Sequence, residues 1–188
     1  MLLGIAGVTG VGKSYYKNLL ASKMGFRTVK IITTRPLRKN EQNGVDKTFM
    51  TANELKAARE RGEIAFEFEM CGNLYAYPKS ELFGTDDNIV TEIHYETIHD
   101  LKKAVPELKT IYLLPKDLAL PKAKVRERGL SPEVEQTRLA EIDTHYQRIL
   151  ADETLRRAFD FTMQNNYDDK SEAEFLRLTK ALLEGENE

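Results

Sequence analysis

The chain is poor in the residues that mark secreted, membrane-bound or zinc-rich proteins. Cys71 is the single cysteine among 188 residues. No internal disulfide is possible, which suits a reducing compartment and leads to an expected cytoplasmic location. His94 and His99 lack the spacing that would put two ligands on one helix face, so no zinc site is expected. No apolar run approaches the ~20 residues needed to span a bilayer. No basic stretch precedes the first apolar residues, which lead straight into a glycine-rich segment, so no cleaved leader is expected. Neither charge dominates: 28 Lys and Arg against 30 Asp and Glu give a net charge of −2. Nothing global therefore favours nucleic acid or membranes, and any attraction for anions must be local. Repeats, low-complexity tracts and long linkers are missing too. What remains is a chain with 41% hydrophobic and 31% charged residues, of a length that fits one core with smaller appended parts.

Against that plain background one segment stands out. Gly7-Val8-Thr9-Gly10-Val11-Gly12-Lys13-Ser14 fits G-x-x-x-x-G-K-[ST], the loop that holds nucleotide phosphates. Its glycines let the backbone curl until several N–H groups point inward, Lys13 reaches the outer phosphates, and the Ser14 hydroxyl can ligate Mg²⁺. Leu2, Leu3, Ile5 and Ala6 read as a buried strand before it. Lys13 to Lys23, with Tyr15 near its start, reads as an amphipathic helix after it. Strand, glycine loop and helix N-terminus in this order bring the helix dipole to bear on an anion.

Short β-like runs alternate with helical patterns along the chain, which predicts a parallel sheet flanked by helices. Strands are expected at Leu3–Ala6, Thr28–Ile32, Asn88–Ile93, Thr110–Leu114 and Phe159–Gln164. Helices are expected at Lys13–Met24, Tyr95–Val105, Leu118–Arg128, Pro132–Ala151 and Ser171–Leu183. Ser131 followed by Pro132 predicts a helix start with a capping hydroxyl. Residues 34–84 read differently. Thr51-Ala52-Asn53-Glu54 is a capping-box sequence. Phe66, Phe68 and Met70 alternate with Glu67 and Glu69 as in a half-buried strand. Gly72-Asn73 marks a turn before Leu74-Tyr75-Ala76-Tyr77. This is expected to be a small β-rich insertion leaning over the main sheet. A second excursion, with Arg126, Arg128 and Arg138 around it, has the make-up of a lid. His145 is expected on the surface of its helix.

The segment Thr33-Thr34-Arg35-Pro36-Leu37-Arg38-Lys39-Asn40-Glu41-Gln42-Asn43-Gly44-Val45-Asp46 resembles the T-T-R-x-x-R-x-x-E-x-x-G-x-D stretch of guanylate kinases. Gly72-Asn73-Leu74-Tyr75 is similar to that family's G-N-x-Y turn. Lys124 to Gly129 resembles its R-L-x-x-R-G lid, and Asp160 to Asn165 its late strand ending in asparagine. The resemblance runs through nearly the whole chain in order. It implies a single domain with a P-loop, three-layer α/β/α core (1–33, 85–120 and 140–188), a monophosphate-binding insertion (34–84) and a lid (121–139). It also implies transfer of the γ-phosphoryl of ATP to a nucleoside monophosphate, with Mg²⁺. The expected partners are small-molecule nucleotides, without nucleic acid or membrane, in a monomer or homodimer.

The residues fit that chemistry. Phosphoryl transfer needs two phosphates held in line and the charge on the migrating group offset. Gly7, Thr9, Gly10, Val11, Gly12, Lys13, Ser14, Tyr15 and, by resemblance, Asn165 would serve the donor. Arg35 and Arg38, three apart, form a candidate clamp for the acceptor phosphate. By resemblance Arg128 and Arg138 would meet the transferring phosphoryl, and Thr33, Lys47, Tyr75, Tyr77, Glu92 and His94 would line the acceptor site. Several of these depart from the family pattern. Lys47 stands where it has tyrosine, Ala76-Tyr77 where it has Gly and Ser or Thr, and Glu92-Ile93-His94 where it has D-x-D. Glu92 could keep a role near Mg²⁺, directly or through water, on a longer arm. Phe66 occupies the place of the guanine-reading glutamate, with Glu67 one residue on and Glu69 on the same strand face. GMP or dGMP leads as acceptor. A same-fold kinase for another phosphorylated small molecule stays open, as does a non-catalytic guanylate-kinase-like module. No N-K-x-D follows the loop, which disfavours a regulatory GTPase.

Overall fold

The structure is a computed structural model that describes residues 1–37, 41–45, 47–84 and 86–185. In chain order the elements begin β1 (Leu2–Gly7), α1 (Lys13–Met24), β2 (Arg27–Thr28), β3 (Ile32–Thr33), β4 (Thr48–Phe49), α2 (Ala52–Glu60), β5 (Ile64–Met70), β6 (Asn73–Pro78) and α3 (Lys79–Leu82). They continue with β7 (Ile89–Glu92), a 3₁₀ turn (Tyr95–Thr97), α4 (Ile98–Ala104), β8 (Leu108–Pro115), α5 (Ala119–Arg126), α6 (Pro132–Ala151), α7 (Glu153–Arg157), β9 (Phe161–Asn165) and α8 (Asp169–Glu184).

Five strands form a parallel sheet in the order β2-β7-β1-β8-β9. β1 is central and buried throughout, so both of its faces must be covered. Side chains alternate across a strand, and the two faces serve two cores. Leu2 and Ala6 join Ile98, Leu101, Tyr112 and Phe159 on one side. Leu3 and Ile5 join Tyr16, Leu20, Phe175 and Leu182 on the other. The result is the expected helix–sheet–helix sandwich. Among the described residues no helix is long and apolar enough to cross a membrane.

The second sheet, β4-β3-β6-β5, belongs to the insertion. Its hairpin β5–β6 pairs Met70 with Asn73, so the two-residue loop is Cys71-Gly72, both at positive φ (53° and 69°). The turn sits one residue earlier than Gly72-Asn73 suggests. The Thr51 capping box forms as expected: Thr51 Oγ1 accepts from Glu54 N at 3.2 Å, and Thr51 N donates to Glu54 Oε2 at 2.7 Å.

Three expectations give way. The run 28–32 is not one strand; its ends enter different sheets, β2 the core and β3 the insertion. Tyr95–Val105 divides into the 3₁₀ turn and α4. Ser131 occupies the N-cap of α6 with Pro132 next, but its hydroxyl makes no capping bond.

Candidate active site

The chain leaves β1 through a curl that admits no side chain at two points. A Cβ at Gly7 (φ 144°) would lie 2.7 Å from the Leu113 carbonyl oxygen, and one at Gly10 (φ 86°) 2.5 Å from that of Pro121. Such contacts are with backbone and cannot yield cheaply, so glycine is what lets the loop press against β8 and α5. Asn165, buried at the end of β9, ties the loop down. Its Nδ2 donates to the Val11 carbonyl at 2.9 Å, and its Oδ1 accepts from Tyr16 Oη and from Tyr167 N, each at 2.9 Å.

Lys13 Nζ lies beneath the curl, donating to the carbonyls of Gly7 at 2.7 Å and Val8 at 2.9 Å. Burial pushes its pKa down to about 8, with Arg128 and Lys47 acting the same way and Glu92 opposing. Ser14 Oγ donates to Glu92 Oε1 at 2.8 Å, and Lys17 Nζ stands 3.3 Å from that same oxygen. Burial would raise the Glu92 carboxyl, but Lys17, Lys47 and Lys13, with the Ser14 hydroxyl, overcome it and hold the pKa down to about 2. The Lys47 pKa is lowered by burial, with Lys17 and Arg35 reinforcing. The end of β1, the start of α1, the end of β7 and β4's approach thus meet around one ionised carboxylate. Ser14 Oγ and Glu92 Oε1 are 2.8 Å apart, close to the about 2.9 Å between neighbouring ligands of an octahedral ion with ~2.05 Å bonds. This oxygen pair would suit Mg²⁺, an ion that prefers oxygen ligands.

All of this opens on a cleft of about 1140 Å³, whose far walls belong to the insertion and to α6. Thr9, Gly10, Gly12, Lys13 and Ser14 line it on one side; Arg35, Lys47 and Tyr75 line it on another. Arg128 and Arg138 also face it. The two cationic clusters therefore share one space. Arg35 is 7% exposed. Its Nη1 donates to Glu41 Oε2 at 2.7 Å and to the Pro36 carbonyl at 2.8 Å, its Nη2 donates to Glu41 Oε1, and it lies over the Phe49 ring. Arg138 Nη1 donates to Glu141 Oε2 at 2.9 Å and to Cys71 Sγ at 2.7 Å. Arg38 lies outside the described residues.

Some candidates sit elsewhere. Thr33 is fully buried and accepts from Arg35 N, so it shapes the backbone beneath the cleft. Tyr77 is a core residue, 1% exposed, whose hydroxyl donates to the Glu92 carbonyl at 2.8 Å. It braces the strand that carries Glu92. Glu67 pairs with Arg59 Nε at 3.2 Å and stays out of the cleft, whereas Glu69, on the same strand face, lines it. Tyr15 is exposed and lines the cleft as well; its hydroxyl donates to Glu172, and with Tyr16, Asn165 and Tyr167 it also borders a second hollow of about 450 Å³ behind the loop.

Two residues at or beside the cleft that the sequence did not single out are Lys17, which pairs with Glu92, and Phe68, which lines the cleft. Lys17 is one turn beyond Lys13, and that spacing signals a shared helix face. Phe68 stacks on Tyr75 at 5.3 Å and on His94 at 6.0 Å between ring centres. His94 has its pKa lowered by burial, with Lys13 and Arg138 reinforcing. His145 is not a surface residue: it is 8% exposed and stacks on Tyr95 at 3.5 Å. Its place three residues from Ile142 and four from Ile149, both buried, is the helical stripe that could have revealed it.

A family model, "Guanylate kinase", matches residues 2–181. A guanylate kinase of Thermus thermophilus is 30% identical over 187 residues, spanning 96% of this chain and 80% of the relative. One from Thermosynechococcus vestitus is 30% identical over 148 residues, spanning 76% and 78%. The crystal structure of guanylate kinase from Anaplasma phagocytophilum superposes with a TM-score of 0.69 at 19% identity, covering 100% of this chain and 87% of that one. A shikimate kinase from Bacteroides thetaiotaomicron reaches 0.50 at 15% identity, covering 98% of each. These two share the fold. With a family match along nearly its full length and a phosphate loop facing an arginine-bearing insertion, the chain belongs to the guanylate kinase family of phosphotransferases.

Proposed function

We propose that the chain transfers the γ-phosphoryl of ATP to GMP or dGMP. The observation that carries this is the shared cleft: Lys13 and Ser14 on one wall, Arg35 and Lys47 on another. In-line transfer requires that juxtaposition, because positioning and charge offset supply nearly all of the catalysis. In this reading 1–33, 85–120 and 140–188 form the core, 34–84 holds the acceptor and 121–139 closes over both. The relatives named guanylate kinase support GMP as acceptor.

The loop amides and Lys13 hold the donor phosphates. The Lys13 ammonium exchanges its carbonyl partners at Gly7 and Val8 for phosphate oxygens. Arg35, Arg38 and Lys47 fix the acceptor phosphate, Lys47 as a point charge. Arg128 and Arg138 offset charge on the migrating group. Ser14 and Glu92 would hold Mg²⁺, which when bound neutralises phosphate charge. No base is needed for the acceptor, since a phosphate oxygen is already a nucleophile at neutral pH. A single free thiol, Cys71, is compatible with the reducing cytoplasm.

The test is a panel of GMP, dGMP, AMP, UMP, CMP and non-nucleotide phosphates with ATP and Mg²⁺. Transfer to GMP or dGMP far above the others is expected. Arg35→Ala should raise the acceptor KM about 10- to 100-fold, the loss of a charge-assisted contact, and leave the ATP KM nearly unchanged. Equal losses for both ligands would exclude the clamp. Negligible ATP affinity by calorimetry would favour a binding module instead.

A further inference from the structure

The wall of the cleft formed by α6 carries a group the phosphate chemistry does not use. Tyr112 is fully buried in β8, and its hydroxyl lies 2.9 Å from His145 Nε2. No other hydrogen-bond partner of that hydroxyl is found among the described residues. A buried hydroxyl proton needs an acceptor, and Nε2 is the one it has. Burial raises the Tyr112 pKa, so the phenol keeps its proton. Burial pushes His145 down to about 2, with Lys13, His94 and Arg148 acting the same way, so the ring is neutral. A neutral imidazole that accepts at Nε2 must carry its proton on Nδ1. Among the described residues no buried side-chain nitrogen or oxygen lacks a partner, and Nδ1 has no partner among them. It therefore reaches open space, and the space against His145 is the cleft.

One helical turn earlier, Glu141 lines the same cleft. Residues four apart on a helix are neighbours, with about 5–6 Å between Cβ atoms. α6 thus presents a fixed donor beside a carboxylate. The carboxylate accepts from the Cys71 thiol at 2.7 Å and from Arg138 at 2.9 Å, and its two oxygens retain room for further bonds. Guanine offers the complementary edge: an acceptor, the 6-oxo oxygen, beside two donors, N1–H and the 2-amino group. Phe68, Tyr75 and His94 provide a flat surface in the same cleft, with the His94 ring 6.3 Å from that of His145 between centres. Glu69 also faces the cleft, but it is exposed, and a carboxylate open to water discriminates poorly. Glu141 is half-buried, and loss of a contact in such a place leaves a group unpaired.

We propose that the base-reading pair of this protein sits on α6, where His145 donates from Nδ1 to the 6-oxo oxygen of the acceptor purine and Glu141 accepts from its N1–H and 2-amino groups. Tyr112 is a positioning residue that sets the His145 tautomer. The proposal rests on the reading of the cleft as the acceptor site of a guanine-nucleotide kinase.

The test compares kcat/KM for GMP, IMP, which lacks the 2-amino group, and 2-aminopurine riboside 5′-monophosphate, which lacks the 6-oxo group and with it the N1 proton. In His145→Phe the GMP value should fall about 10- to 100-fold, the cost of one unpaired buried group, chiefly through KM. The 2-aminopurine nucleotide should be unaffected. In Glu141→Gln the preference for GMP over IMP should shrink about tenfold. Tyr112→Phe should lower GMP several-fold and spare the 2-aminopurine nucleotide. Independently of every variant, ¹⁵N shifts of the His145 ring in the wild type should show Nδ1–H, and an Nε2–H tautomer would overturn the proposal. So would equal losses on all three nucleotides, or a loss carried by Glu69→Gln alone. A wild type inactive on all three would remove the kinase reading as well; an active one with uniform losses in the variants removes this inference only.

Discussion

Lys13 sets function against stability in one side chain. Its ammonium is held beneath the loop by two carbonyls, yet burial leaves its pKa at about 8, below the ~10.4 of an unfolded lysine. Between those values the unfolded chain binds more protons than the folded one, so stability rises with pH across that window. Below pH 8 the full cost of burying the charge is present. Lys13→Met should therefore be more stable than the wild type at pH 7, by on the order of 1–2 kcal/mol once screening is allowed for. The two should converge between pH 8 and 10.4, followed by denaturant unfolding. The same variant should lose phosphoryl transfer, because it removes the ammonium seated beneath the phosphate loop. A variant no more stable at pH 7, or one that retains turnover, would contradict the role of this ammonium. Glu92 runs the opposite way: its cations hold it ionised to about pH 2, so it remains an anion throughout any useful assay.

At the scale of elements, the legible and illegible parts separate by the range of the interactions that made them. The phosphate loop, the Thr51 capping box and the long α6 are local features, decided by residues within a turn or two of one another, and each appears where its sequence places it. The run 28–32 is different. Nothing within those residues reports that Thr28 will pair with Val90 and Ile32 with Ala76, because the switch between sheets is a long-range choice. Glu67 and Glu69 share a strand face, yet Arg59 draws Glu67 away from the cleft, a contact across the insertion that strand parity cannot foresee. The hairpin gives a direct test. Cys71 adopts φ 53° in a two-residue loop, a conformation that asparagine takes more readily before glycine. Cys71→Asn should raise stability by about 0.5–1 kcal/mol, or a few degrees in Tm. A lower Tm would mean the thiol contacts with Arg138 and Glu141 outweigh the turn. Asn165 offers the converse. It joins the loop, α1 and the start of α8 through three bonds. Asn165→Ala should cost about 2–4 kcal/mol by leaving those partners unpaired and raise the KM for ATP more than that for GMP. Equal effects on both would place its influence outside the donor site.

For the whole molecule, the arrangement of charge says what binding must accomplish. In this state two arginines of the cleft are already paired with carboxylates, Arg35 with Glu41 and Arg138 with Glu141. The positive charge that two nucleotides require is thus held in reserve by acidic neighbours, which keeps a cleft rich in Arg and Lys from repelling itself. On the proposed reading phosphates would displace those carboxylates, and a single nucleotide would engage only one cluster at a time. A ligand joining adenosine to guanosine through a chain of five phosphates reaches both, and its second engagement is intramolecular. Because a ligand stabilises by RT ln(1 + [L]/Kd), the joined molecule should raise Tm well beyond ATP or GMP alone at equal concentration. Lys13→Met and Arg35→Ala should each return its effect to that of one nucleotide. If the joined ligand stabilises no more than ATP alone in the wild type, the phosphate loop and the arginine-bearing insertion do not act on the two ends of one substrate pair.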